Sequence, residues 1–390
     1  MIVTSFEPNF IPLLKQFKEH GIVVMHQQFG KLLFDADIPN KFIGEFITSK
    51  MREDNIKTAI LYLTDLQQHK LTTDELISPA VAKFYNDNLV AYLYQRLENI
   101  FNIWSALDVL QPNLIIVHND VEPMNRLLAF WAKSSNKPCL HIPHAVYLDN
   151  DGRGAIGTDV HDLVTASHIA VAGPYQANWY IERGANPDHV YLTGLPQFER
   201  LANWQMERER ACRLFKLQPE IPVVTYKSSW RQDTNLSGCH DGVEESFLAF
   251  LAVAKQLPDI QYIVSCHPRG NNLDWHKQQV EAAGVKAIVT QDHLDVLLAC
   301  TDVLISYGPS NVVLEAAAYG NMHLIVTNDS QAFSNDSEII KCTNLQLYET
   351  LLQVLQKPLP DYRKFVAKYL YQKDGKNIER LIGLIKELYA

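Results

Sequence analysis

Short apolar runs of strand length recur at 2–6, 22–25, 60–63, 114–117 and 139–142, with segments long enough for a helix between most of them. That alternation predicts a parallel αβ sheet, because parallel strands are buried on both faces and need helical crossovers. Apolar residues at three- and four-residue spacing predict helices over 11–20 and, much longer, over 79–110. A second series of runs, at 223–226, 262–266, 287–289, 303–306 and 324–326, follows the charged stretch 206–217. Two successive αβ sheets are therefore predicted, joined by residues near 195–220. The segment 377–388 has the apolar spacing of a closing amphipathic helix. No repeat at solenoid periods and no low-complexity segment interrupts this plan.

The stretch 301–326, TDVLISYGPSNVVLEAAAYGNMHLIV, reads as strand, tight turn, helix and strand. Gly308 and Pro309 break the strand that ends at Ser306, Ser310 is a helix cap, and Gly320 is a stop. The helix N-terminus, with Asn311 in its first turn, offers N–H groups and partial positive charge to an anion such as a nucleotide diphosphate. Glu315 lies inside this helix within reach of a ribose hydroxyl, and a carboxylate in so apolar a helix needs a partner. An ordinary αβ crossover with a Ser cap fits the same residues equally well.

At 390 residues the chain exceeds one typical core, and its 47% hydrophobic and 10% aromatic content fills two. A net charge of −9 argues against nucleic acid as a partner, since such proteins carry a basic surplus or stripe. The six cysteines form no CxxC pair, so reduced, mostly buried thiols are expected rather than a zinc site or a disulfide framework. The run Asp149, Asn150, Asp151, Gly152 lacks the spacing and terminal Glu of a calcium loop and predicts a turn. No metal site is expected. MIVTSF, followed by Glu7 and Pro8, is too short for a signal-peptide core, and no window nears the roughly 20 apolar residues of a membrane helix. A cytoplasmic chain is expected, with any contact to membrane or lipid-linked substrate peripheral and at the inner face.

In open αβ sheets ligands collect beyond the carboxyl ends of the strands, and these exits are polar here. After Val117 come His118, Asn119, Asp120 and Glu122, and after Ile142 come Pro143 and His144. Lys227, Ser228 and Ser229 follow Tyr226, while His267, Pro268 and Arg269 follow Cys266. Ser306, Gly308, Pro309, Ser310 and Asn311 complete the set. These exits converge if the two sheets face each other across a cleft.

LIIVHNDVEPMNRLLAFWAKSSNKPCLHIPHAVY is a strand, a helix and a strand ending in a His turn. HIAVAGPYQANWYIERGANPDHVYLTGLPQFERL holds a strand ending in Gly, a helix, and a strand ending in a Gly-x-Pro turn. VVTYKSSW, IVSCHPRGN, the 301–326 stretch and DGKNIERLIGLI follow in order. Over roughly 110–390 this series resembles the GT-B nucleotide-sugar glycosyltransferases, especially the CDP-glycerol glycerophosphotransferase-like and capsule or surface-polysaccharide branch. The resemblance implies two Rossmann-like domains facing across a cleft. Residues 1–197 would bind the acceptor, 198–220 link the domains, 221–370 bind the nucleotide-sugar, and 371–390 form the closing helix. It also implies transfer of a sugar to a glycan or glycolipid acceptor of a surface polysaccharide, with no cofactor beyond the nucleotide-sugar substrate.

Two departures qualify the likeness. Ala145 follows His144 where the family has a His-Gly turn. The His-Arg-Arg-Glu-Asn run of the related UDP-N-acetylglucosamine 2-epimerases would fall near 226–231, where this chain has YKSSWR, which argues against epimerisation. The His-Pro pair and the downstream Ser also resemble bacterial sialyltransferases, which act on CMP-sugars. CDP-glycerol-type phosphotransfer and a non-catalytic nucleotide-sugar binder on the same fold complete the alternatives.

Glycosyl transfer needs the growing negative charge on the leaving nucleotide stabilised, and Lys227, His267, Arg269, Ser310 and Asn311 are suited to that. An inverting reaction also needs a base for the acceptor hydroxyl. His144 fits that task, because the reference pKa of a histidine, about 6.5, is close to the working pH, and Asp120 or Glu122 would orient or replace it. A retaining reaction needs no such base.

Overall fold

Most of the strands form on short apolar runs. The computed structural model describes residues 1–5, 7–68, 79–119, 122–146, 148, 164–228, 241–267, 272–291, 294–308, 310–327 and 333–390. The first sheet holds β1 (Ile2–Thr4), β2 (Ile22–Val24), β3 (Asn40–Phe42), β4 (Leu114–Val117), β5 (Cys139–His141), β6 (His168–Val171) and β7 (Val190–Leu192). The second holds β8 (Val223–Lys227), β9 (Gln261–Ser265), β10 (Ala287–Thr290), β11 (Val303–Ser306), β12 (His323–Thr327) and β13 (Ile340–Cys342). Their orders are β3-β2-β1-β4-β5-β6-β7 and β10-β9-β8-β11-β12-β13, and every described pair is parallel. Because helices cover both faces, β1, β4, β8 and β11 are buried along their whole length. In each sheet the winding reverses beside its first strand, between β1 and β4 and between β8 and β11, and such switch points open a crevice at the strand ends.

One expected strand is a helix. Residues 60–63 lie within the helix Ser49–Gln68, with Leu63 buried and Ile60, Leu61 and Tyr62 exposed at 48, 70 and 57%. A four-residue apolar run does not by itself distinguish strand from helix, and here the flanking helix formers and the neighbouring helix Pro79–Leu110 decide. Asn55 Nδ2 donates to Asn102 Oδ1 at 3.0 Å, and the Tyr62 ring rests against Phe101. The helix expected over 11–20 is broken, an α-turn at Ile11–Leu14 giving way to 3-10 turns over Lys15–His20 with Phe17 out of helical geometry. β3 and β13 went unanticipated, being three-residue edge strands each interrupted by a lysine.

A single apolar cluster joins the halves, running from Ile2, Leu13 and Val146 through Leu195 and Phe198 to Leu304, Val313, Tyr369 and Leu381. The helix Asn377–Tyr389 returns the chain to the first sheet. Asn377 Nδ2 donates to the Leu195 carbonyl at 3.0 Å, Arg380 Nε to the Thr193 carbonyl at 2.8 Å, and the Met1 ammonium to the Tyr389 hydroxyl at 2.6 Å. Just before it, the Tyr371 N–H donates to the Ala172 carbonyl at 2.7 Å, drawing the chain over Gly173. The five described cysteines are free and buried. Among the described residues no helix is long and apolar enough to cross a membrane.

A Cβ on Gly173 would lie 2.5 Å from the Tyr369 carbonyl oxygen and 2.6 Å from its carbon, and backbone cannot swing aside as a side-chain tip can. Gly173→Ala is therefore expected to cost about 1–3 kcal/mol, as overpacking does, measured by urea unfolding. Unchanged stability would show that the C-terminal segment does not close down on β6 as described.

Candidate functional site

The candidate residues gather at the two switch points. At the first, Ser5 leaves β1 beside His118, which leaves β4. The Ser5 hydroxyl lies 2.8 Å from His118 Nδ1 and accepts the His118 backbone N–H at 3.1 Å. His118 Nε2 lies 2.8 Å from Asn119 Nδ2, and Asn119 Oδ1 accepts the Glu122 backbone N–H at 2.9 Å. Glu122 thus heads the helix Pro123–Ser134 with its side chain exposed. His144, also exposed, is held through its backbone, the N–H donating to the His118 carbonyl at 3.1 Å and the carbonyl accepting Gln197 Nε2 at 2.9 Å. Its ring meets that of His118 edge to face at 5.9 Å. His141 is fully buried beneath, 3.4 Å from the Tyr180 hydroxyl, and burial pushes its pKa down to about 3.

At the second switch point Lys227 and Ser306 stand side by side in the β8–β11 register, and both are buried. Lys227 Nζ donates to the Cys266 carbonyl at 3.2 Å; burial pushes its pKa down to about 8, against the opposing pull of Cys266 and Glu315. The Ser306 hydroxyl donates to the Gly308 carbonyl at 3.2 Å, bracing a turn in which Gly308 takes φ 67°, the left-handed region that favours glycine. Ser310 then caps the helix Asn311–Tyr319, its hydroxyl accepting the Val312 N–H at 3.3 Å, and Gly320 ends that helix at φ 82°. Ser228 is buried and bonded to His276 Nε2 at 2.9 Å, and His267 is half-buried with its carbonyl accepting Gln291 Nε2 at 3.1 Å. Asp120, Ser229, Pro268, Arg269, Pro309 and the 149–152 turn lie outside the described residues.

Two contacts bind the halves at this place. The Asn311 carboxamide spans the Val146 backbone, Oδ1 accepting its N–H at 2.9 Å and Nδ2 donating to its carbonyl at 3.3 Å. Gln176 Nε2 supports the same loop, donating to the Ala145 carbonyl at 3.0 Å. Glu315, expected to face a ribose, pairs with Arg200 from the connecting turn Pro196–Ala202, and Arg200 also pairs with Asp295. Burial pushes the Glu315 carboxyl above the usual range, while Arg200 and Lys227 hold it back. Ser5 lies inside the apolar run 2–6, and only the end of β1 at Thr4 shows it to be a strand exit like the other candidates. His276 and Arg200 carry no local signal, since the fold alone brings them in. Among the described residues no group of His, Cys, Asp and Glu is arranged to hold a metal ion.

The sequence matches no protein-family model and no curated protein. Solved structures are similar over nearly the whole chain. A UDP-GlcNAc 2-epimerase from Neisseria meningitidis bound to UDP-GlcNAc is 14% identical, with 99% of each chain covered and a TM-score of 0.61. The HepE protein of Anabaena in complex with UDP is 13% identical, with 99% of each chain covered and a TM-score of 0.56. A glycosyltransferase from Rickettsia africae is 12% identical, covering 100% of this chain and 97% of its own, with a TM-score of 0.53. The fold is GT-B. Two parallel sheets of seven and six strands with covering helices, as in these structures, make an α/β two-domain GT-B architecture.

Two tests follow from the charges. Arg200→Ala strands Glu315 in a buried site and is expected to cost about 3 kcal/mol, with part of the loss recovered in Arg200→Ala/Glu315→Gln. Strictly additive losses in that cycle would rule out a coupled ion pair. For Lys227, the unfolded chain keeps the ordinary value of 10.5 and the folded protein about 8. Between those values the unfolded state binds the extra proton, so stability gains from this residue as pH rises. Urea unfolding should show wild type gaining on Lys227→Met from pH 8 to 10.5; a pH-independent difference would contradict the burial of a charged amine.

Proposed function

We propose that this protein is a nucleotide-sugar enzyme that transfers a sugar to a hydroxyl of a glycan or lipid-linked glycan during assembly of a surface polysaccharide. The observation that carries the reading is the bond of Asn311 to Val146, which sets the His144 loop of the first half against the donor-type helix of the second. In this reading the diphosphate lies at the head of the helix Asn311–Tyr319, where the helix dipole and Lys227 stabilise the leaving charge. His267 flanks the phosphates, and Glu315 takes a ribose hydroxyl alongside its Arg200 bond. His144, exposed on the opposite wall, accepts the acceptor proton as the hydroxyl attacks the anomeric carbon from the face opposite the leaving nucleotide, which inverts the configuration. Closure of the halves would exclude water and limit hydrolysis of the donor.

The similarity to a UDP-GlcNAc 2-epimerase favours a second reading, epimerisation of the donor sugar, on the same nucleotide site. CDP-glycerol-type phosphotransfer and transfer from a CMP-sugar would use it too.

A thermal-shift panel of UDP, CMP, CDP, GDP and ADP separates the donor classes, a nucleotide at a hundred times its Kd adding about 2.7 kcal/mol. One nucleoside diphosphate is expected to raise Tm, and His144→Ala to keep that affinity within a few-fold while losing transfer. Donor incubated without acceptor should stay unepimerised. Accumulation of the 2-epimer would replace transfer with the second reading, and a melting curve unmoved by every nucleotide would end both.

A further inference from the structure

Three histidines converge at the mouth of the first sheet: His118 after β4, His141 at the end of β5, and His144 in the loop beyond. If His144 accepts a proton it becomes a cation, and a second imidazolium beside it would oppose that step. The neighbours' protonation states therefore matter. Among the described residues, His118 meets the His144 ring in edge contact and the buried His141 lies close enough to feel its charge, and both are titratable.

The hydrogen-bond network around Asn119 decides the state of His118. A backbone N–H can only donate, so the Asn119 atom that takes the Glu122 N–H at 2.9 Å is the carboxamide oxygen. The same oxygen accepts Asn125 Nδ2 at 3.0 Å, which fixes the carboxamide from two sides. Its NH2 must then point the other way, and it lies 2.8 Å from His118 Nε2. His118 Nε2 is the acceptor of that bond, which leaves the ring proton on Nδ1, donated to the Ser5 hydroxyl at 2.8 Å. Protonating His118 would set one N–H against another across that contact, so the charged ring is opposed by geometry. His141 reaches the same neutral state by burial in contact with Tyr180.

We infer that Asn119 and Ser5 hold His118 as a neutral imidazole protonated at Nδ1, so that of the three clustered histidines His144 alone carries the proton in turnover. Asn119 and His118 are positioning residues, acting through His144. The role given to His144 rests on the proposed transfer reaction, whereas the tautomer of His118 does not.

The test is long-range 1H–15N correlation NMR on the full-length protein with 15N-labelled histidine. The wild-type spectrum at neutral pH should show His118 with its proton on Nδ1 and titrating below the ordinary value of about 6.5. Asn119→Asp still accepts from Glu122 and Asn125 but turns a carboxylate oxygen toward Nε2, and should raise the titration midpoint of His118 by about one pH unit or more. A wild-type ring protonated at Nε2, or already charged at neutral pH, overturns the assignment without need of any variant. With donor and acceptor present, Asn119→Asp should lower kcat about tenfold and leave donor KM within about twofold, because the imidazolium it creates on His118, in edge contact with the His144 ring, opposes protonation there. Full kcat with His118 shown to be charged would overturn the link to His144, while the tautomer of His118 stands or falls on the wild-type spectrum alone.

Discussion

The side chain of Asn311 bonding both polar groups of the Val146 backbone is the contact on which the arrangement turns. The backbone N–H and carbonyl of Val146, buried in the loop beyond β5, need partners, and here the other half of the molecule supplies both. The loop carrying His144 is consequently set at the head of the helix Asn311–Tyr319. Gln176 and Gln197 satisfy the next carbonyls back along that loop, so its path is determined by side chains from three separate elements. The apolar cluster shared by both halves supplies the bulk attraction, and these directional bonds supply the registry.

Charge is organised around that contact. Lys227 and Glu315 are both buried at the second switch point, and each moderates the displaced pKa of the other. Arg200 reaches Glu315 from the connecting turn, linking the helix Asn311–Tyr319 to the segment between the sheets. On the opposite wall the logic is reversed: His118 and His141 are kept neutral, one by an amide and one by burial.

Much of this was legible in the chain. Buried parallel strands read as unbroken apolar runs, which is why β1, β4, β8, β11 and β12 lie where those runs are. The rule that ligands gather at strand ends pointed to Glu122, His144, Lys227 and Ser310, which the fold places at or just beyond the ends of β4, β5, β8 and β11. What was not legible depends on long-range pairing. Asn311 was expected at a phosphate, but its carboxamide is engaged by Val146, a partner 165 positions away in sequence. Glu315 needed a partner, and nothing near it in sequence pointed to Arg200. The run at 60–63 misled because four apolar residues have the same local appearance in a strand and on a helix packed against another helix.

The most direct test is a crystal structure of the protein grown with UDP or, if the melting panel selects another, that nucleotide. The diphosphate is predicted at the head of the helix Asn311–Tyr319, within hydrogen-bonding distance of Lys227 or Ser310, with the His144 ring facing the same space. A nucleotide bound elsewhere, or one bound there with His144 directed away from it, would contradict the placement of donor and base across one cleft.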